Sequence, residues 1–318
     1  MSVAVVGSIN EDVLVPVDRL PGRRETVVGG EVTLAPGGKG ANQASAAARL
    51  TGPVSMVGRV GDDAAGERQL AALVSAGVDV GAVRRTAGTP TGSATIPVER
   101  GSGENLIVVV PGANARVTAE DADVDAVRAA AVLLLQLEIP LATVRAAAAA
   151  ARGTVVLTPA PARPLPDDLL ERVDVLVPNE HELRQLAGAA TGGLPAPGPA
   201  DPAGLAALAR RVARRAAVVT LGARGALVVP DDGPPVLQLP PPVTPVDTTG
   251  AGDCFCGALA AGLAEGLDLT AAARRAVAAA ALSTTRPGAR GALPDGAAVA
   301  GVLARLPPVA AATGRSGR

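Results

Sequence analysis

Hydrophobic residues in this chain fall into two rhythms. Short unbroken apolar runs occur at 3–6, 54–57, 132–135, 155–157, 173–177 and 218–221. Between the later runs lie longer stretches, 64–76, 118–130, 141–151, 180–186 and 202–214, whose spacing is helical. Uninterrupted apolar runs suit strands buried on both faces. Alternating with helices of this length, they predict an α/β fold with a doubly wound, mostly parallel sheet and helices on both faces. The run at 3–6 ends in Gly7-Ser8-Ile9-Asn10-Glu11-Asp12. Asn10 and Asp12 thus emerge at a strand's carboxyl edge, where ligands bind in open α/β sheets. A solvated turn is the plainer reading of Asn-x-Asp.

Two blocks break the rhythm. Residues 13–35 alternate loosely between Pro and Gly interruptions, which predicts short strands. In the second block, 93–98 and 105–110 flank Arg100-Gly101-Ser102-Gly103, a hairpin signal. The expectation is one domain, 1–306, with segments at about 11–35 and 89–111 forming a small antiparallel sheet. Such a sheet is a lid over a site, or, with one apolar face, a surface that pairs two subunits. Residues 188–200 carry no periodicity and are expected to be a mobile loop, and 307–318 a disordered tail.

Two glycine-rich stretches stand at helix entries. Ala35-Pro36-Gly37-Gly38-Lys39-Gly40-Ala41-Asn42-Gln43 runs into a helical segment at 44–50. Gly-Lys is followed there by Gly, so this is not a Walker A loop, and no strand–GxGxxG–helix pattern exists. The second stretch, Val246-Asp247-Thr248-Thr249-Gly250-Ala251-Gly252-Asp253-Cys254-Phe255-Cys256-Gly257, follows a proline-rich approach at 240–245. A glycine turn feeding a helix N-terminus leaves backbone N–H groups free for an anion. Asp253 is wrongly charged for binding a phosphate but rightly placed to take a proton from a hydroxyl attacking one. The plainer reading is a helix cap, worth about 1 kcal/mol.

Composition narrows the classes. The 318 residues carry a formal net charge of −1 and one aromatic residue, Phe255, so neither a basic nucleic-acid surface nor a base-stacking platform is present. Lys39 is the sole lysine among 29 basic residues, which marks it for a specific role. Cys254 and Cys256 face different sides of a helix, so neither a disulfide framework nor a thiolate zinc site is expected. No signal peptide or membrane span is evident, and a cytoplasmic protein is expected. Polar residues follow several apolar runs: Gln136 and Glu138, Asn179 and Glu182, Thr220 and Gly222. Converging with Asn10, Asp12 and Asp253 they outline one cleft. His181, the single histidine, has no partner for a metal site and is expected to be a bystander.

The two glycine-rich stretches resemble the paired motifs of the ribokinase-like sugar kinases, the PfkB family. Gly7-Ser8-Ile9-Asn10, Val110-Pro111-Gly112-Ala113-Asn114, Gln136-Leu137-Glu138, Pro159-Ala160-Pro161-Ala162 and Val177-Pro178-Asn179-Glu180 extend the similarity over nearly the whole chain. The resemblance implies ATP-dependent phosphorylation of the ribose 5-hydroxyl and a lid sheet often shared in a homodimer. It implies that Asn10, Asp12, Gly38, Lys39, Asn42 and Glu138 hold the sugar, with Asp253 as base. The backbone of Gly250, Ala251 and Gly252 would be the anion hole. Asn179 and Glu182 would serve the ATP phosphates and Mg2+, with Thr220 and Gly222 along the nucleotide. A monovalent cation, usually K+, would sit against Asp247, Thr249, Ser283, Arg286, Gly288 and Ala292. Asn10 with Asp12 favours ribose over 2-deoxyribose, and the lack of lid aromatics argues against nucleosides. Val277 and Ala292 depart from residues common in relatives, near the nucleotide and the cation loop. A kinase for another sugar or a nucleoside, and a non-catalytic sugar-binding protein, are the rival readings.

Overall fold

Strand β1, Val3–Val6, divides its side chains between two cores: Val3 and Val5 point into one, Ala4 and Val6 into the other. A strand buried on both faces has no polar positions to spare, which explains the unbroken apolar run. The computed structural model describes residues 2–191 and 201–312. After β1 come β2 (Asn10–Val17), β3 (Thr33–Gly37), α1 (Lys39–Ala48), β4 (Val54–Gly61), α2 (Ala64–Ser75), β5 (Val78–Thr86), β6 (Gly92–Glu99) and β7 (Val108–Val110). The middle of the chain adds α3 (Ala119–Ala122), α4 (Asp125–Arg128), β8 (Val132–Leu135), α5 (Leu141–Ala150), β9 (Thr154–Leu157), α6 (Asp167–Leu170), β10 (Val175–Leu176) and α7 (Glu180–Thr191). The last part holds α8 (Pro202–Val212), β11 (Ala216–Thr220), β12 (Ala226–Val229), β13 (Val236–Gln238), α9 (Ala251–Ala264), α10 (Leu269–Ser283), α11 (Gly296–Leu303) and β14 (Ala310–Ala311).

The large sheet runs β14-β13-β12-β11-β10-β9-β8-β1-β4-β5, parallel from β11 to β5 and antiparallel from β11 outward to β14. Residues of α1, α2, α9, α10 and α11 pack on one face, and residues of α3 to α8 on the other. The doubly wound α/β architecture is therefore the observed one. A second sheet, β3-β2-β6-β7, is built from the two blocks that broke the α/β rhythm. Its outer pairs are antiparallel, while β2 and β6 run parallel, because the chain returns to the main sheet between them. Among the described residues no helix is long and apolar enough to cross a membrane.

Several expectations need correction. The stretch 118–130 is two short helices: a capping box between Thr118 and Asp121 starts α3, and extended backbone at Val124 interrupts before α4. Asp121 is wholly buried between Arg59 and Arg84, which pins that interruption. The helix expected at 180–186 continues to Thr191, taking in the first residues of the proposed loop at 188–200; residues 192–200 lie outside the described ones. The tail expected to be disordered from Pro307 instead forms β14, because the exposed edge of β13 offers Val236 and Leu237 as partners for Ala311 and Ala310. Residues 313–318 lie outside the described ones.

Candidate active site

The site is made by one helix crossing. Gly257 lies one turn beyond Asp253 on α9, so both occupy the same helix face. A Cβ at Gly257 would come within 2.5 Å of Gln43 O and 2.8 Å of Ala47 N. Only glycine lets α9 lie this close to α1, and the closeness brings Asp253 against the first turns of α1. Asn42 Nδ2 donates to Asp253 Oδ2 at 3.0 Å, and Gln43 Nε2 donates to Oδ1 at 3.2 Å. Each amide is held from behind: Arg290 Nε donates to Asn42 Oδ1 at 2.8 Å, and Gln136 Nε2 to Gln43 Oε1 at 2.7 Å. Asp253 is therefore not a cap. Its carboxylate is oriented from another helix, and α9 begins at Gly250 in the left-handed region (φ 73°) with no side-chain cap.

The turn before Asp253 leaves donors free. Ala251 N–H donates to Thr248 O at 3.2 Å, which qualifies the expected role of all three residues in an anion hole. The N–H groups of Gly250, Gly252 and Asp253 have no acceptor among the described residues. A Cβ at Gly252 would meet nothing within 4 Å, so the space in front of this turn is open. That turn lines a cleft of ≈ 160 Å³ together with Lys39, Thr158, Asn179, Glu182, Thr220 and Asp253. A larger hollow of ≈ 230 Å³, beside Pro164 and Arg211, gathers none of the candidate residues. Four separate parts of the chain thus deliver expected residues to one place. Lys39 is held in its charged form chiefly by Asp253, against burial, with Glu138 and Glu182 adding to the effect.

Asn179 and Glu182 also form a reciprocal capping box at the start of α7. Asn179 N donates to Glu182 Oε2 and Glu182 N to Asn179 Oδ1, both at 2.8 Å. Burial raises the Glu182 carboxyl above its ordinary range. Gly222 (φ 57°) begins a 3₁₀ turn, Gly222–Arg224, just past β11. Val277 is buried in the core under α10, away from polar partners. His181 is exposed.

On the sugar side, Gly38 caps α1 with φ 87°, and a Cβ there would lie 2.6 Å from Asn10 N. Glycine is thus required for the β3–α1 turn to lie on the Asn10 segment. Asn10 is buried, and its Oδ1 accepts from Asn114 Nδ2 at 2.7 Å. Glu138 Oε2 accepts from Ser8 Oγ at 2.5 Å and from Lys39 N at 3.2 Å. Asp12 has its carboxyl raised to about 6, chiefly by burial; Arg290 and Lys39 pull it down, while Glu138 and Asp253 push it up.

The expected cation loop is partly assembled. Asp247 Oδ1 accepts from Thr249 N and Oδ2 from Gly288 N, both at 2.8 Å. Burial pushes this carboxyl up, but these amide hydrogen bonds and that of the Thr249 hydroxyl hold it below its ordinary value. Ser283 and Ala292 are buried, and Ser283 Oγ donates back to Ala280 O. Arg286 is exposed. Among the described residues no group of three or more His, Cys, Asp or Glu forms a metal cluster.

The sequence places Gln136 at the cleft but gives no role to Arg290, Gln43 or Asn114. Gln43, Gln136 and Asn114 sat inside the quoted stretches, so their positions were visible while their partners were not. Arg290 carried no signal, because arginine is this chain's general cation.

The model of the pfkB family, described as pfkB family carbohydrate kinase, matches residues 1–296. The ribokinase of Bacillus subtilis is 38% identical over 299 residues, 92% of this chain and 96% of that protein. The structure of Arabidopsis thaliana ribokinase complexed with ribose and ATP superposes with a TM-score of 0.85 at 35% identity, over 95% of this chain and 98% of that one. A deoxyribokinase of Salmonella typhi is 34% identical over 308 residues, 93% of this chain and 96% of that protein.

Proposed function

The chain belongs to the pfkB family of carbohydrate kinases, and we propose that it transfers the terminal phosphoryl group of ATP to the 5-hydroxyl of D-ribose, giving ribose 5-phosphate and ADP. The observation that carries this reading is Asp253: a carboxylate aimed by two amides of α1, beside free N–H donors, in the cleft that holds Lys39.

In the reaction the 5-hydroxyl oxygen bonds to the γ-phosphorus, its proton passes to an Asp253 oxygen, and the β–γ bridging oxygen leaves with ADP. Because Asn42 and Gln43 each donate to a different Asp253 oxygen, the carboxylate cannot rotate away from the hydroxyl. A positioned general base of this kind contributes roughly 10²–10⁴-fold. The open N–H groups at the start of α9, with the helix dipole, stabilise charge gathering on the transferring group. Lys39 adds a fixed positive charge on the same side. The Glu182 carboxylate and Asn179 fit a magnesium ion carried by the nucleotide, since such ions need one or two carboxylates besides phosphates and water. Bound there, it would neutralise phosphate charge. Asp247 would hold a potassium ion through the carboxylate lone pairs that the Thr249 and Gly288 amides leave open, and such an ion would stiffen the turn entering α9.

The lid sheet carries exposed apolar residues, Leu34 on β3, Val108, Val109 and Val110 on β7, and Ile107 beside it. We infer that a second copy covers the face shared by Leu34, Val108 and Val110 in a homodimer; Val108→Asp should yield a monomer by light scattering, and a wild-type monomer would rule the inference out. We infer a cytoplasmic location.

An ADP-release assay over ribose, 2-deoxyribose, hexoses and nucleosides, with and without potassium, tests the function. Ribose is expected as the best substrate by a wide margin. A preference for 2-deoxyribose, the substrate suggested by the deoxyribokinase relative, would replace ribose in this account, and no turnover of any sugar would favour a binding protein.

A further inference from the structure

Arg290 leaves the loop between α10 and α11 and reaches across the sugar side of the site. Two of its three nitrogens are committed: Nε donates to Asn42 Oδ1 at 2.8 Å and Nη2 to Gly37 O at 2.5 Å. The third, Nη1, is buried and has no acceptor among the described residues. Asp12 and Asp253 are the two carboxylates whose charge acts on this guanidinium, and neither pairs with it directly.

Asp12 shows the complementary lack. Its side chain packs against Gly37, where a Cβ would come 2.1 Å from Oδ1, beside the same Gly37 whose carbonyl receives Arg290. No hydrogen bond to its carboxylate is formed among the described residues, and its charged neighbours are Arg290, Glu138, Asp253 and Lys39. A buried donor without an acceptor is uncommon in a native protein, and here a half-buried carboxylate without a donor stands on the same side of the site. An alcohol has the matching chemistry: one O–H to donate and lone pairs to accept.

We propose that Arg290 is a substrate-binding residue: the 2- or 3-hydroxyl of the sugar bridges it to Asp12, accepting a hydrogen bond from Nη1–H and donating one to the carboxylate. The assignment rests on the sugar-kinase reading of the site and adds a specificity determinant to it. The hydroxyl completes an ion pair that the free protein holds apart. A sugar lacking that hydroxyl leaves the buried Nη1 and the half-buried Asp12 carboxylate open at once, so it is rejected by more than the loss of one neutral hydrogen bond. Because Nε and Nη2 are tied to α1 and to the end of β3, the third nitrogen is presented in a fixed direction.

The test compares wild type with Arg290→Gln and Arg290→Lys in the full chain, using D-ribose and its 2-deoxy and 3-deoxy analogues. Binding is measured by calorimetry without nucleotide, and kcat and KM by ADP release. Arg290→Gln should weaken ribose binding at least tenfold and raise KM more than it lowers kcat. For the one analogue that lacks the bridging hydroxyl, wild type and variant should bind within twofold of each other, since the contact is already gone. Arg290→Lys, which keeps a charge, should recover part of the ribose affinity, and Asp12→Asn should show the same analogue-specific pattern. Equal losses for ribose and both analogues would mean that Arg290 acts only by supporting Asn42 and the fold, and would overturn the assignment while leaving the kinase reading intact. Failure of the wild type to bind ribose at all would overturn both. Circular dichroism melts confirm that each variant is folded.

Discussion

Asp12→Asn should make the free protein more stable while spoiling its sugar binding. An aspartate ordinarily titrates near 3.8, but Asp12 in the folded chain titrates near about 6, chiefly because it is buried. The folded-state value lies above the unfolded one, so ionising Asp12 opposes folding. The penalty is absent well below pH 4, grows as pH rises through about 6, and is complete above it. At 1.36 kcal/mol per pH unit the full penalty is about 3 kcal/mol. Unfolding entropy of roughly 2.1 cal/mol/K per residue over 318 residues gives about 0.7 kcal/mol/K, so removing the charge should raise the melting temperature by about 4 °C at pH 8. The gap should shrink to about 1 °C by pH 4. The chain has no Trp or Tyr, so melts should be followed by circular dichroism or calorimetry rather than by intrinsic fluorescence. Ribose binding should weaken by roughly 10–100-fold, the value of a charge-assisted hydrogen bond, and the wild-type fall in kcat/KM below pH 6 should vanish in the variant. A variant that melts lower than wild type at pH 8, or a gap unchanged between pH 4 and 8, would refute the reasoning.

Two further substitutions probe the scaffold. Gly38→Ala forces a side chain into a left-handed turn (φ 87°) and to 2.6 Å from Asn10 N; it should cost at least about 2 kcal/mol in calorimetry and raise the KM for ribose well above that for ATP. Asp121→Ala leaves Arg59 and Arg84 facing each other beside a vacated buried site, and should cost about 3–5 kcal/mol in denaturant melts while kcat at 25 °C stays within twofold.

Most of the parallel sheet could be read along the chain, because β1, β8, β9 and β11 sit between two helical layers and their fully buried positions had to be apolar. The edge was harder. β5 alternates in exposure (Val78 buried, Asp79 exposed) and carries Arg84 and Arg85, so its sequence looks like a solvated connection. β14 depends on an open edge at β13 rather than on local preference. In the site, Asp253, Lys39 and Gly250–Gly252 could be picked out because a glycine turn with an isolated charge is locally conspicuous. Their organisation could not. Gln43 meets Asp253 across 210 residues of chain, and only the α9–α1 crossing at Gly257 reveals it. Arg290 lies further from Asn42 still, and nothing in its neighbourhood of Gly, Ala and Pro sets it apart from the other arginines.

The central claim is that Asp253 takes the proton of the attacking hydroxyl. Asp253→Asn preserves the shape and one of the two hydrogen bonds from α1, since its single oxygen can accept from only one of Asn42 and Gln43, and it removes the basic oxygen, so ADP release with ribose should fall by at least about 10²-fold, while calorimetric ribose binding stays within about fivefold of wild type. Asp253→Asn that still turns over at near wild-type rate, or that loses ribose binding in step with its activity, would contradict the account.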